Sequence, residues 1–149
     1  NDAVEMFLLI QDNSAEDSLR VALQSYATAD LKLYQNKKEE ALQLFLAILQ
    51  KHKGESIEEG TLFKVGKIYE EKGDFNKALT YYQNILDNHK DGIYKDEALY
   101  FSAEIYRKHL LDNEKAKPLY EKMVLEHPDS LYYTESRKQY RTLRGDTTI

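Results

Sequence analysis

Residues 63–86, FKVGKIYEEKGDFNKALTYYQNIL, decide the fold, because the chain on either side repeats them. Residues 26–49 read YATADLKLYQNKKEEALQLFLAIL, and residues 100–124 read YFSAEIYRKHLLDNEKAKPLYEKMV. The small residues Ala29, Gly66 and Ala103 recur at intervals of 37. Ala41, Ala78 and Ala116 recur at 37 and then 38, as do the bulky Phe45, Tyr82 and Tyr120 and the aliphatic Ile48, Ile85 and Met123. The one extra residue is placed in a longer turn at residues 110–113. A fixed period of this length marks a chain of stacked supersecondary units.

Within each unit the apolar residues follow helical periods, as in Leu62, Val65, Ile68 and Tyr69, then Ala78, Tyr82, Ile85 and Leu86. Each unit is therefore two helices. The break between them carries Asn36 in the first unit and Gly73 in the second, residue types that tolerate the left-handed conformation ending a helix. Small residues facing one another let the helix axes approach, and Phe or Tyr one turn later fills the wider gap. One pair cannot bury its apolar face alone, so the pairs must stack. The spacing predicts helices at 2–12, 16–35, 37–52, 56–72, 74–89, 94–110, 113–126 and 131–144, with Pro118 bending its helix or delaying its start.

This gives a single domain over 1–149: a half repeat at 1–13, repeats at 16–53, 56–90 and 93–128, a capping helix at 131–144 and a tail at 145–149. Residues 2–13 align with a second helix at an offset of 75, so the chain is expected to be the C-terminal part of a longer protein. Phe7, Leu8 and Ile10 would then form an apolar end capable of self-association.

Composition narrows the function. With 26 acidic and 21 basic residues the net charge is −5, the wrong sign for a nucleic-acid binder. Apolar runs at 6–10 and 44–49 are far below the ~20 residues needed to cross a bilayer, so no direct membrane insertion is expected. Six glycines and two prolines suit a helical chain. The absence of cysteine removes disulfides, thiolate metal sites and cysteine nucleophiles.

The middle unit, with Leu62, Val65, Gly66, Tyr69, Gly73, Ala78, Tyr82, Ile85 and Leu86, and Pro128 closing the third, resembles the tetratricopeptide repeat (TPR). The period of 37 to 38, Lys32 in place of the first-helix Tyr, and Lys53 and Lys90 in place of the proline depart from that pattern. The longer loops, as in EHPDSLYYTESR, are similar to those of bacterial cell-envelope TPR proteins. The resemblance implies an all-α, right-handed solenoid of antiparallel helix pairs that is not an enzyme. It further implies a protein or peptide partner held in the concave groove lined by the first helices, and a place in the periplasm or at the outer-membrane periphery of a bacterium. The alternative is a structural arm within a larger protein, with no ligand of its own.

No catalytic, cofactor-binding or metal site is read from the residues. His52, His89 and His127 are equivalent positions in successive units, ~10 Å apart per layer, and cannot converge on one ion. They are read as complements to helix C-terminal dipoles. The paired acids, such as Glu39–Glu40 and Glu70–Glu71, are solvated faces. Neither a phosphate loop nor HExxH occurs. Arg137, Lys138, Arg141 and Arg144 are read as the solvated side of the cap. The candidate groove follows from Tyr26, Phe63 and Tyr100, spaced by 37 in the first helices. Their i+4 and i+7 neighbours complete it: Asp30 (with Leu33), Lys67 and Glu70, and Glu104 and Arg107. Asp30 and Tyr26 argue against the chaperone-carboxylate clamp found in some TPR proteins.

Overall fold

A computed structural model describes residues 13–146. The helix expected at 2–12, and with it all of the half repeat at 1–13 but Asn13, lies outside them, as do residues 147–149 of the tail. The described residues form α1 (Asn13–Tyr34), α2 (Lys38–Lys51), α3 (Glu58–Glu71), α4 (Phe75–Asn88), α5 (Lys95–Glu104), α6 (Asn113–Glu126) and α7 (Tyr133–Arg144), with no strand among them. One π-helical turn, Ile105–His109, continues α5. The all-α helical-repeat class is therefore as the spacing predicts. None of the described helices is long and apolar enough to cross a membrane. The chain resolves into two compact units, one reaching Val65 and the other starting at Gly66.

In the first unit α1 packs against α2. Ala22, Ala29, Ala41, Leu42, Phe45 and Ile48 are buried, and Tyr26 meets the Phe45 ring edge-on at 5.3 Å. Helix α1 ends on Asn36 with φ 61°. The Asn36 N–H donates to the Leu33 carbonyl at 2.9 Å and the Lys37 N–H to that of Lys32 at 2.8 Å, a Schellman closure. Three of the carbonyls that the helix end would leave open are thus claimed within a short turn, once the Gln35 N–H to Leu31 bond is included.

In the second unit α4 packs on α5, α5 on α6 and α6 on α7. The core holds Ala78, Tyr82, Ile85, Leu99, Ala103, Ile105, Ala116, Tyr120 and Met123. Gly66 is where the small-residue series matters most: a Cβ there would lie 2.5 Å from Cε1 of Tyr82. Helix α3 ends on Gly73 with φ 80°, closed by the Gly73 N–H to Glu70 and the Asp74 N–H to Tyr69.

The third pair corrects the expected longer turn at 110–113. Its left-handed residue, Leu111 with φ 52°, and the following Asp112 correspond to Gly73 and Asp74, so the turn is no longer. The extra residue lies inside the helix, where the Leu110 N–H reaches five residues back to the Ile105 carbonyl at 3.0 Å. A single π turn absorbs one inserted residue without breaking the helix, which is why periodicity alone misplaced it. Of the two effects expected of Pro118, a bend or a late start, the late start is corrected, and the helix keeps its expected bounds of 113–126. Helix α6 begins at Asn113, and the Asp112 side chain accepts from the Lys115 N–H at 3.1 Å. That N-cap fixes the first turn upstream of the proline. Helix α7 begins at Tyr133 rather than 131, because Ser130 turns the preceding chain: its Oγ accepts from the Tyr132 N–H and its carbonyl from the Tyr133 N–H, both at 3.1 Å.

Candidate partner-binding surface

The second helices supply what the first-helix stripe rests on. From the core of the second unit, the Tyr82 hydroxyl donates to Glu70 Oε1 at 2.8 Å, and Lys67 Nζ stands 3.9 Å from the same carboxylate oxygen. Lys67 also lies over the Phe101 ring, 4.1 Å from its centroid. One repeat later the Tyr120 hydroxyl donates to Glu104 Oε2 at 3.0 Å and accepts from Arg107 Nε at 3.0 Å. Arg107 bonds the same Glu104 oxygen through a second nitrogen, and Tyr100 adds a further hydrogen bond to that carboxyl.

These two clusters are one design with the charges exchanged. Lys67 corresponds to Glu104 and Glu70 to Arg107, so base then acid becomes acid then base, while a tyrosine from the second helix stays between them. The first repeat lacks the device. Phe45 has no hydroxyl, and Leu33 stands where Glu70 and Arg107 stand. There Asp30 turns instead to Lys64, at 2.8 Å. A buried hydroxyl requires a partner. Tyrosine therefore goes with a charged pair, and phenylalanine with leucine.

Electrostatics follow from this geometry. Burial works to raise the Glu104 pKa, but hydrogen bonds from Tyr100, Tyr120 and Arg107, together with the Arg107 charge, outweigh it and hold the carboxyl below its ordinary range. Burial pushes the Tyr82, Tyr100 and Tyr120 hydroxyls well up, and the neighbouring Glu70 or Glu104 adds to this. All three therefore remain donors at physiological pH.

The proposed stripe is thus only partly brought together. Tyr100, Glu104 and Arg107 form one network, Lys67 and Glu70 another, and both belong to the second unit. Tyr26 and Asp30 belong to the first unit and engage Phe45 and Lys64. Phe63 and Tyr26 are half-buried, as a ring at the edge of a core should be. Tyr100 is half-buried too, and the Tyr132 ring stacks on it at 4.5 Å and 17°. The sequence reading missed Tyr82 and Tyr120 as polar members, treating them as gap-fillers. The signal was present in the Phe45-to-Tyr82-to-Tyr120 change, which runs parallel to Leu33, Glu70 and Arg107.

The periodic histidines are C-caps of α2, α4 and α6. Beyond that position, the rings of His52 and His127 reach neighbouring elements. His52 Nδ1 lies 2.9 Å from Glu55 and 3.0 Å from Ser18 at the start of α1. His127 Nδ1 lies 3.1 Å from Asp96 at the start of α5. His109, outside that series, stacks on Phe75 at 4.1 Å.

A hollow of about 920 Å³ opens in the second unit between α4 and α6, lined by Asn76, Gln83, Asn84, Pro118 and Leu119. Two of its side-chain amides are engaged within α4, where Gln83 Nε2 donates to Asp87 Oδ1 at 2.9 Å and Asn88 Nδ2 to Asn84 Oδ1 at 2.6 Å.

A search of curated proteins finds no match to the chain. The tetratricopeptide repeat family model matches residues 61–92 and 97–130, the second and third helix pairs. These two pairs are tetratricopeptide repeats, a class that generally mediates protein–protein interaction and is typically non-catalytic.

Proposed function

We propose that the chain is a non-catalytic interaction module whose first-helix surface receives a protein segment, with Lys67, Glu70, Tyr100, Glu104 and Arg107 as the contact residues of the second unit. The observation that carries this is the tyrosine-locked charge pair. Glu104 and Arg107 are partly exposed, with 12% and 24% of their side-chain surface open, yet each is held by core hydroxyls in one geometry. Charged groups ordered before binding lose less entropy on contact than free surface side chains. The reversed order of acid and base in successive repeats would give a bound segment one direction, since like charges meet if it is turned round. Tyr26, Asp30 and Phe63 extend the same proposal to the first unit.

One observation favours the alternative, a structural arm. The stacking of Tyr132 on Tyr100 covers a ring that a ligand would need. The readings separate in a single experiment. Phe63→Ala and Tyr100→Ala are each examined for melting temperature and for retention of whatever partner the full chain captures from its native extract. Binding lost with melting nearly intact supports the module, since aromatic anchors in such surfaces commonly contribute about 2 kcal/mol or more. Melting lowered with binding intact returns the rings to packing. The similarity of the loops to envelope TPR proteins supports a bacterial cell-envelope setting, and recovery of the native protein solely from cytosol would overturn it.

A further inference from the structure

We infer that the outer face of α7 is a second docking surface, for an acidic protein segment. Packing fixes which way this helix faces. Ser136 is fully buried, and Tyr140 and Leu143 pack against the cluster of Ala103, Ala116 and Tyr120. The opposite side carries Tyr133, Thr134, Arg137, Lys138, Arg141 and Thr142, which line a hollow of about 560 Å³. Arg144, which the sequence groups with this stripe, is withdrawn from it. It bonds Asp146 beyond the Gly145 cap and lies over the Tyr140 ring.

The remaining cations are left open. Arg137 and Lys138 enter no ion pair among the described residues, and Arg141 acts on Asp146 only at longer range. The sole acid of α7, Glu135, accepts from Gln139 at 2.9 Å. Asp146 also lines the hollow and acts on Arg141, but it is already paired with Arg144, so in a chain of net charge −5 the three cations Arg137, Lys138 and Arg141 still make a local reversal of sign. Arg137 and Arg141 lie one helical turn apart, about 6 Å along the axis. Carboxylates three or four residues apart on a partner helix have the same spacing and take bidentate bonds from guanidinium groups. The Thr134 and Thr142 hydroxyls and the Tyr133 ring supply neutral contacts on either side. A nucleic-acid strand fits poorly. It presents a charge about every 3.4 Å and draws affinity from many phosphate contacts, which three cations on an acidic molecule do not provide.

The test uses the full chain and a labelled helical peptide with Glu at alternating three- and four-residue spacings, its Gln counterpart, and a single-stranded oligonucleotide of equal charge. Fluorescence anisotropy is expected to show binding of the Glu peptide that weakens with salt, and none of the Gln peptide. Arg137→Gln with Arg141→Gln should weaken binding about tenfold or more without lowering the melting temperature, while Lys122→Gln on α6 leaves it unchanged. If the double variant melts early, the exposed Lys138→Gln takes its place, with an expected loss of about threefold. No binding of the Glu peptide, equal binding of the Gln peptide, full binding by the substituted chains, or tighter binding of the oligonucleotide would each overturn the inference.

Discussion

Gly66 occupies a position where Ala29 and Ala103 serve the neighbouring repeats, and here the ring opposite lies closer than a methyl group would allow. Tyr82 presses its Cδ1 and Cε1 edge against Gly66 while Glu70 holds its hydroxyl, so the ring cannot swing away from an added methyl without losing a hydrogen bond. Gly66→Ala is therefore expected to destabilise by about 1–3 kcal/mol despite improving helix propensity, a loss readable by urea denaturation. A gain in stability would show that Tyr82 is free to move. Glu104 makes a second claim at this scale. A carboxyl whose native pKa is depressed contributes stability that is complete above its ordinary value of 4.5 and disappears as pH falls through the native value. Glu104→Gln should accordingly cost about 1–3 kcal/mol at neutral pH, and the gap from the parent chain should close on acidification. A gap independent of pH would remove the tied carboxylate as its source. The sequence displayed the small and aromatic series plainly, because steric demand recurs at fixed intervals. It hid the tyrosine–glutamate bonds, because which hydroxyl reaches which acid depends on distances across two helices.

At the scale of the elements, the expected helices match α1 to α4 and α6 closely, since periodicity and the Asn36 and Gly73 stops are local signals. The π turn at Ile105–His109 was not legible, because an inserted residue leaves the same period mismatch in a helix as in a loop. Its consequence falls on Leu111. Asn36 and Gly73 take the left-handed conformation cheaply, whereas Leu111 does so at φ 52° with its side chain 79% exposed and little to lose on truncation. Leu111→Gly is expected to stabilise by about 0.5–1 kcal/mol, the relief of left-handed strain exceeding the added chain entropy of glycine. Thermal melting decides the sign. A lower melting temperature would mean that the leucine side chain contributes more than its exposure suggests. Two starts are offset: α1 begins at Asn13, ahead of the expected 16, and α7 at Tyr133, after the expected 131, because the Ser130 turn precedes it.

For the whole molecule, the two compact units raise the question of whether the chain unfolds as one. Repeat arrays derive stability from each unit and from its nearest neighbours, so damage at one place is not shared equally by all. Phe45 is fully buried in the first unit and has only Leu33 at the position where the second unit builds its polar networks. Phe45→Ala should therefore cost about 3–5 kcal/mol in that unit by opening a cavity that no hydrogen bond spans. The second unit keeps Tyr82 on Glu70 and Tyr120 on Glu104, ties that do not depend on Phe45. Native-state hydrogen exchange on the variant should show protection lost in α1 and α2 and largely retained in α5, α6 and α7. The same comparison on Tyr120→Phe should reverse the pattern, with a smaller loss confined to the second unit, because only the hydroxyl bonds disappear. Equal loss of protection across all helices in both variants would show a single cooperative block, and the interaction surface would then have to be treated as inseparable from the stability of the entire chain.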